Sequence, residues 1–184
     1  MNPTVLVLLQ KEISLEGGFS NQPADAGGAT NMGITQRTLS TYMGRQASID
    51  DVRNLSVDQA EEIYYRNYYL KPRFDSLPTG LQSIAVDTGI LHGPAWSIQI
   101  MQQIVNQAGF GPIDQDGVLG PQSQGAITKA YVAMGPYFTN AFVEERVSYY
   151  KDRVANDPSQ QVFLIGWINR AESFSQPIPG VTSN

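Results

Sequence analysis

Apolar residues recur at helical spacing along most of the chain. Val5, Leu9 and Ile13 form the first stripe, and Glu16 follows Ile13 by three residues, which predicts a helix whose final carboxylate lies toward the core side. Gly17 and Gly18 should stop it. From Asn21 to Thr35 the periodicity gives way to turn formers with a few short apolar positions, the pattern of a small hairpin or lobe. Helical spacing then resumes. Thr35 reads as the N-cap of a helix carrying Leu39, Tyr42 and Met43, and Ser56-Val57-Asp58-Gln59 as a capping box. The box opens a helix with Val57, Ala60, Tyr64 and Tyr68 on one face. Pro94 starts another, with Ile98, Met101, Ile104, Val105 and Ala108 inward and Gly109 at its end. Pro121 opens a helix bearing Ile127, Ala130, Tyr131 and Met134. A further stripe begins near Asn140 and includes Phe142, Val143, Arg146, Val147, Tyr150 and Val154, where the arginine predicts a buried or rim ion pair. The last helix carries Phe163, Leu164, Trp167, Ile168 and Ala171, and Gln176-Pro177-Ile178-Pro179-Gly180 reads as an extended, mobile tail.

Chemistry concentrates where the first helix ends. Partial burial and the negative end of the helix dipole would both favour a protonated Glu16, leaving it a proton to donate. The competing reading makes Glu16 a solvated last-turn residue and Gly17 a left-handed cap. Asp25 follows after a gap of eight residues, enough for the chain to turn and set a second carboxylate across a cleft. Two facing carboxylates suit glycoside hydrolysis: one protonates the leaving oxygen, and the other activates water or stabilises the oxocarbenium ion. Asp25 equally suits an Asx-turn before Gly27, and Thr30 a turn hydroxyl.

Composition narrows the alternatives. The 184 residues, 41% of them hydrophobic, suffice for one domain or two small lobes sharing a core. Without cysteine, disulfides and thiol chemistry are excluded. A formal charge of -5 and a pI near 4.7 argue against nucleic acid as a partner. Val5 to Leu9 is too short for a membrane span, lacks a basic region in front and is followed at once by Gln10, Lys11 and Glu12, so no stable membrane insertion is expected. His92 is the single histidine, so a two-histidine zinc site is impossible and no metal or cofactor is expected. Gly120-Pro121-Gln122-Ser123-Gln124-Gly125 lacks the first glycine of a serine-nucleophile elbow. Asp114-Gln115-Asp116-Gly117 lacks the closing acid of a calcium loop and reads as a turn.

The stretch Glu16-Gly17-Gly18-Phe19 followed by Asn21-Gln22-Pro23-Ala24-Asp25-Ala26-Gly27-Gly28-Ala29-Thr30-Asn31-Met32-Gly33-Ile34-Thr35 resembles the signature of glycoside hydrolase family 108, the phage and bacterial N-acetylmuramidases. Asp87 to Pro94, Asp116 to Pro121, and Gly166-Trp167-Ile168-Asn169-Arg170 resemble the peptidoglycan-binding region that follows the catalytic segment in that family. Phe19, Met32 and Leu91 depart from its usual Tyr, Trp or Phe, and Asn. The resemblance implies Glu16 as the acid that cleaves the β-1,4 bond between N-acetylmuramic acid and N-acetylglucosamine. Asp25 and Thr30 are further catalytic candidates. In the phage lysozymes of another family a Thr follows the Asp after a gap of five, a position that Asn31 holds here. Asn31, Tyr68 and Tyr69 are candidate sugar contacts, though tyrosines at such spacing also serve as core or rim residues.

The expectation is a lysozyme-like, mainly α fold of the α+β type, with a small β hairpin forming one wall of a cleft. Residues 1–88 form the catalytic lobe, 89–175 a helical peptidoglycan-binding-like region packed on it, and 176–184 a flexible tail. The expected protein is a monomeric, endolysin-like muramidase acting on bacterial peptidoglycan. A non-catalytic wall-binding or phage structural module and a lytic transglycosylase are the alternatives. With no signal peptide apparent, it would be made in the cytoplasm and reach the wall through a holin-type pore, dedicated secretion or virion delivery.

Overall fold

Asn2 and Pro3 begin the first helix: the Asn2 side chain accepts from the Thr4 amide at 3.0 Å, and the proline tolerates the position where no backbone donor is needed. This helix, α1 (Pro3–Leu15), buries Val5, Leu9, Glu12 and Ile13. The computed structural model describes residues 2–21, 28–178 and 180. They are mostly helical, with one small antiparallel sheet. The chain divides into two compact units, Met1–Phe74 and Asp75–Asn184.

In the first unit, β1 (Thr30–Asn31) pairs with β2 (Ile34–Thr35) in the register Thr30↔Thr35 and Asn31↔Ile34. Met32 and Gly33 between them have φ of 50° and 72°, the positive values that a two-residue hairpin turn requires. Thr35 caps α2 (Gln36–Met43) as its spacing predicts, accepting from the Thr38 amide at 3.1 Å. Capping boxes at Ser48/Asp51 and Ser56/Gln59 open α3 (Ile49–Arg53) and α4 (Val57–Tyr65). The helix α4 packs on α1 and continues as a π-helical turn over Arg66–Leu70. Its inward residues are Ala60, Ile63 and Tyr64; Val57, expected on that face, is exposed in the first turn.

The second unit is built round α5 (Thr79–His92). Leu81, Gln82 and all of 84–89 are buried, the pattern of a helix covered on every side. It packs on α6 (Pro94–Gln107), and so groups with the second unit although its residues up to 88 were expected in the first lobe. The remaining helices are α7 (Pro121–Met134), α8 (Pro136–Asn156) and α9 (Gln161–Glu172). The start of α8 lies at Pro136, ahead of the expected Asn140, because Gly135 at φ 57° breaks the chain and the proline suits a first turn. In α9 only Ala171 is fully buried, and Phe163 is 53% exposed. The loop before α7 is held by Gln102, which donates to Asp116 Oδ1 at 2.8 Å and accepts from the Gly117 amide at 3.0 Å. Gln176, at the start of the expected tail, exchanges two hydrogen bonds with Asn140 of α8.

A carboxylate lies at the centre of this unit. Asp87 of α5 meets Arg146 of α8 and Arg170 of α9, each at 2.8 Å, with Asp87 and Arg146 almost wholly buried. The ion pair read from the α8 stripe is therefore a buried one. Arg146 also donates to the Tyr150 hydroxyl, which bonds His92 Nε2 at 2.9 Å. Burial pushes the His92 imidazole down to about 4, and Arg146, Arg153 and Arg170 act in the same direction against the opposing charge of Asp87.

Two outcomes follow from this network. Asp87→Asn leaves the Arg146 charge buried without its counter-ion and should lower stability by about 3–5 kcal/mol in urea unfolding. The unfolded chain protonates His92 near 6.5 and the folded chain only at about 4. The stability held by neutral His92 is thus complete above 6.5 and is lost as pH falls toward 4. Melting curves of His92→Gln should show a shallower decline across that window.

Candidate active site

The end of α1 sets the position of Glu16. The helix stops at Leu15, and Glu16 is the capping residue with extended backbone, φ −70° and ψ 143°, its amide bonded to Glu12 O at 3.0 Å. Its side chain is exposed. The expected place on the buried stripe is occupied by Glu12, one turn earlier, because the helix ends before its periodicity can carry Glu16 inward. Gly17 is also not the left-handed cap of the competing reading, since its φ is not positive.

The hairpin turn closes over this corner. The Met32 amide donates to Gly17 O at 3.2 Å, fastening the turn to the chain just past Glu16. Gly33 is then so close that a Cβ there would lie 3.1 Å from the Glu16 carboxyl carbon and would collide with the Tyr64 hydroxyl oxygen. Glycine is needed twice over, for its φ and for its lack of a side chain. The Tyr64 hydroxyl donates to Met32 O at 3.4 Å. Helix end, hairpin and α4 therefore converge at Gly33.

Two phenols face the carboxylate. Burial raises the Tyr64 pKa, and the charges of Glu16 and Glu12 raise it further. Tyr68, half-buried, is raised by burial and then by Glu16. Both remain neutral donors through the physiological range. Their rings lie 5.4 Å apart, and Tyr65 and Tyr69 form a separate pair at 5.1 Å. The π-helical turn carries Tyr68 to the Glu16 side and leaves Tyr69 buried, 4% exposed. Such a burial makes Tyr69 a core residue rather than an open sugar contact.

The remaining candidates separate. Thr30 exchanges both backbone groups with Ser20 at 2.8 Å, an antiparallel bridge beside the hairpin. Asn31 is buried, and its amide donates to Val52 O and Arg53 O at 3.0 and 3.2 Å, so that group ties β1 to the end of α3 and is not offered to a sugar. Asp25 lies outside the described residues. Phe19 is fixed by the Arg53 guanidinium, 4.7 Å from its ring centre. Sequence reasoning missed the pairing of Gly33 with Tyr64. The adjacent Met-Gly of a two-residue turn was a signal for the glycine, but nothing in the spacing showed which side chain would fill the space beside it.

An exposed carboxyl beside neutral phenols can bind a polar substrate and exchange a proton with it. No group of three or more acidic, histidine or cysteine side chains suited to a metal occurs among the described residues. No described helix is long and apolar enough to cross a membrane. Gly33→Ala should cost about 1–2 kcal/mol for the left-handed backbone alone, with the collision adding to it. In a Tyr64→Phe background, where the obstructing oxygen is gone, the same substitution should cost less in urea unfolding; equal costs would dismiss the collision.

Two family models match the chain. Residues 9–93 match Glycosyl hydrolase 108, and residues 96–172 match a model described as "Predicted Peptidoglycan domain". Among solved structures, that described as "Structure of Brucella abortus SagA" is similar with a TM-score of 0.64 and 31% identity, over 96% of this chain and 98% of that one. No curated protein matches.

Proposed function

Since the chain belongs to the glycosyl hydrolase 108 family and is a glycoside hydrolase of peptidoglycan, we propose that it is a muramidase with Glu16 as its general acid. The bond cut is the β-1,4 linkage between N-acetylmuramic acid and N-acetylglucosamine. The observation that carries this reading is the meeting of the Glu16 carboxyl with the Tyr64 hydroxyl at Gly33, inside the segment matched by the hydrolase model.

Glu16 gives its proton to the glycosidic oxygen as the C1–O bond breaks, and the leaving sugar departs with a free hydroxyl. Positive charge spreads over C1 and the ring oxygen. Water attacks C1, and its proton goes to the second carboxylate. Asp25 is assigned that part from its spacing after Glu16, with Thr30 helping to orient the water. The free enzyme leaves Glu16 open to solvent, where a glycan strand can reach its carboxyl. Tyr64 and Tyr68 hold their protons beside Glu16, that of Tyr64 being donated to Met32 O. In this reading the protein acts on the cell wall as a monomer, after an export step separate from its chemistry.

Digestion of purified sacculi tests the proposal. The parent protein should release muropeptides with reducing N-acetylmuramic acid ends, identified by mass spectrometry. Glu16→Gln should lower the rate by about two to four orders of magnitude. Anhydro ends would make the reaction a transglycosylation, and unchanged release by Glu16→Gln would remove Glu16 from the mechanism.

A further inference from the structure

Just past Glu16 the chain is tied to the hairpin at two points. Gly17 O accepts from the Met32 amide and Ser20 bridges Thr30, so Phe19 is held between two anchors. Its ring carries the Arg53 guanidinium, 4.7 Å from the ring centre. Arg53 is the last residue of α3, and its carbonyl accepts from the Asn31 amide of β1 at 3.2 Å. Phe19 and Arg53 are thus registered to the same hairpin whose turn meets Glu16 at Gly33. Three residues of extended chain reach about 11 Å at most, which bounds the separation of the Glu16 and Phe19 Cα atoms. The proposed mechanism makes no use of this cation.

We propose that Arg53, stacked on Phe19, is the subsite for a carboxylate borne by the muramyl residue, and that it sets which ring of the strand lies beside Glu16.

The Arg53 side chain is 52% exposed and open to a ligand. Asp50 takes Nη1, and no described residue takes Nε or Nη2, so one edge of the fork is free. Such an edge suits a carboxylate, which it can bind through two parallel hydrogen bonds. The ring beneath holds the guanidinium in place before the ligand arrives, which lowers the entropy cost of ordering a long side chain. Asp50 competes weakly, because both partners of that pair are exposed and water screens their attraction.

Charge identifies the ligand. N-acetylglucosamine is neutral, whereas N-acetylmuramic acid bears a lactyl ether on the ring whose C1–O bond breaks. In a stem-free strand that ether ends in a carboxylate; in a stem-bearing strand it is an amide, and the carboxylates lie further out along the peptide. Either source presents the same anion to Arg53. Because the two rings alternate, a cation in register with Glu16 favours one setting of the strand over the setting shifted by one sugar. The inference rests on the proposed function for its substrate and adds the group that tells the two rings apart.

Calorimetric titration of the full-length Glu16→Gln protein, with and without Arg53→Gln, tests the subsite. Soluble strands are used in stem-bearing and amidase-stripped forms, each also with its carboxylates converted to methylamides. Arg53→Gln should weaken binding of a carboxylate-bearing strand by about fivefold or more and leave binding of the methylamide strand unchanged. Melting temperatures should stay near the parent's, since the side chain is exposed and Asn31 bonds only the backbone of Arg53. Loss on the stripped strand identifies the lactyl carboxylate, and loss on the stem-bearing strand a stem carboxylate. Equal binding by the two proteins, an equal loss on methylamide strands, or no binding by either overturns the subsite. Native protein and Arg53→Gln on sacculi keep this apart from the chemistry: digestion with no dependence on Arg53 in the titrations leaves the muramidase reading and removes the subsite, whereas Arg53-dependent binding without digestion does the reverse.

Discussion

A space too small for a methyl group holds the candidate site together. At Gly33 the hairpin turn comes against the Glu16 carboxyl and the Tyr64 hydroxyl, and only a residue without a Cβ, in a left-handed backbone, permits all three to meet. The Met32 amide on Gly17 O and the Tyr64 hydroxyl on Met32 O fasten the turn from both sides. Three elements far apart in sequence are thereby registered to within a side chain's width. Precision of this kind is what the proposed proton donor would need, since transfer falls off steeply when an acid and the bond it serves are misplaced.

The second unit solves a different problem. Its central helix α5 is covered on every side, yet carries Asp87 in the middle. A lone buried carboxylate would be very costly, and the cost is offset by Arg146 and Arg170 from two further helices. The same arginines set the electrostatics around His92 and, through Tyr150, join the charged centre to the rings beside it. Burial of charge and packing of rings are thus two ends of one network: the ion pair joins α5, α8 and α9, and Tyr150 carries it to His92 and Trp167.

Much of this was legible before any coordinates. The caps at Thr35 and Ser56, the starts of α6 and α7 at their prolines, the hairpin, and a paired Arg146 all follow from local rules in which the nearest neighbours decide. Glu16 shows where such rules stop. Periodicity placed it on the buried stripe, but a helix that ends at Leu15 no longer rotates the next side chain inward, and Glu12 took the buried position. Tyr69 and Asn31 moved the other way, from candidate sugar contacts to interior ties, since the π-helical turn and the carbonyls of α3 claimed them.

The sequence alone determined the helical architecture, the hairpin and the family, because each is encoded in spacing and residue type over a few turns of chain. Tertiary structure decided which carboxylate is buried and which is open, which tyrosine faces Glu16, and which helices supply the counter-ions of Asp87. Those outcomes depend on how segments tens of residues apart share space, and a contact of a few ångströms between such segments leaves no periodic trace in either one.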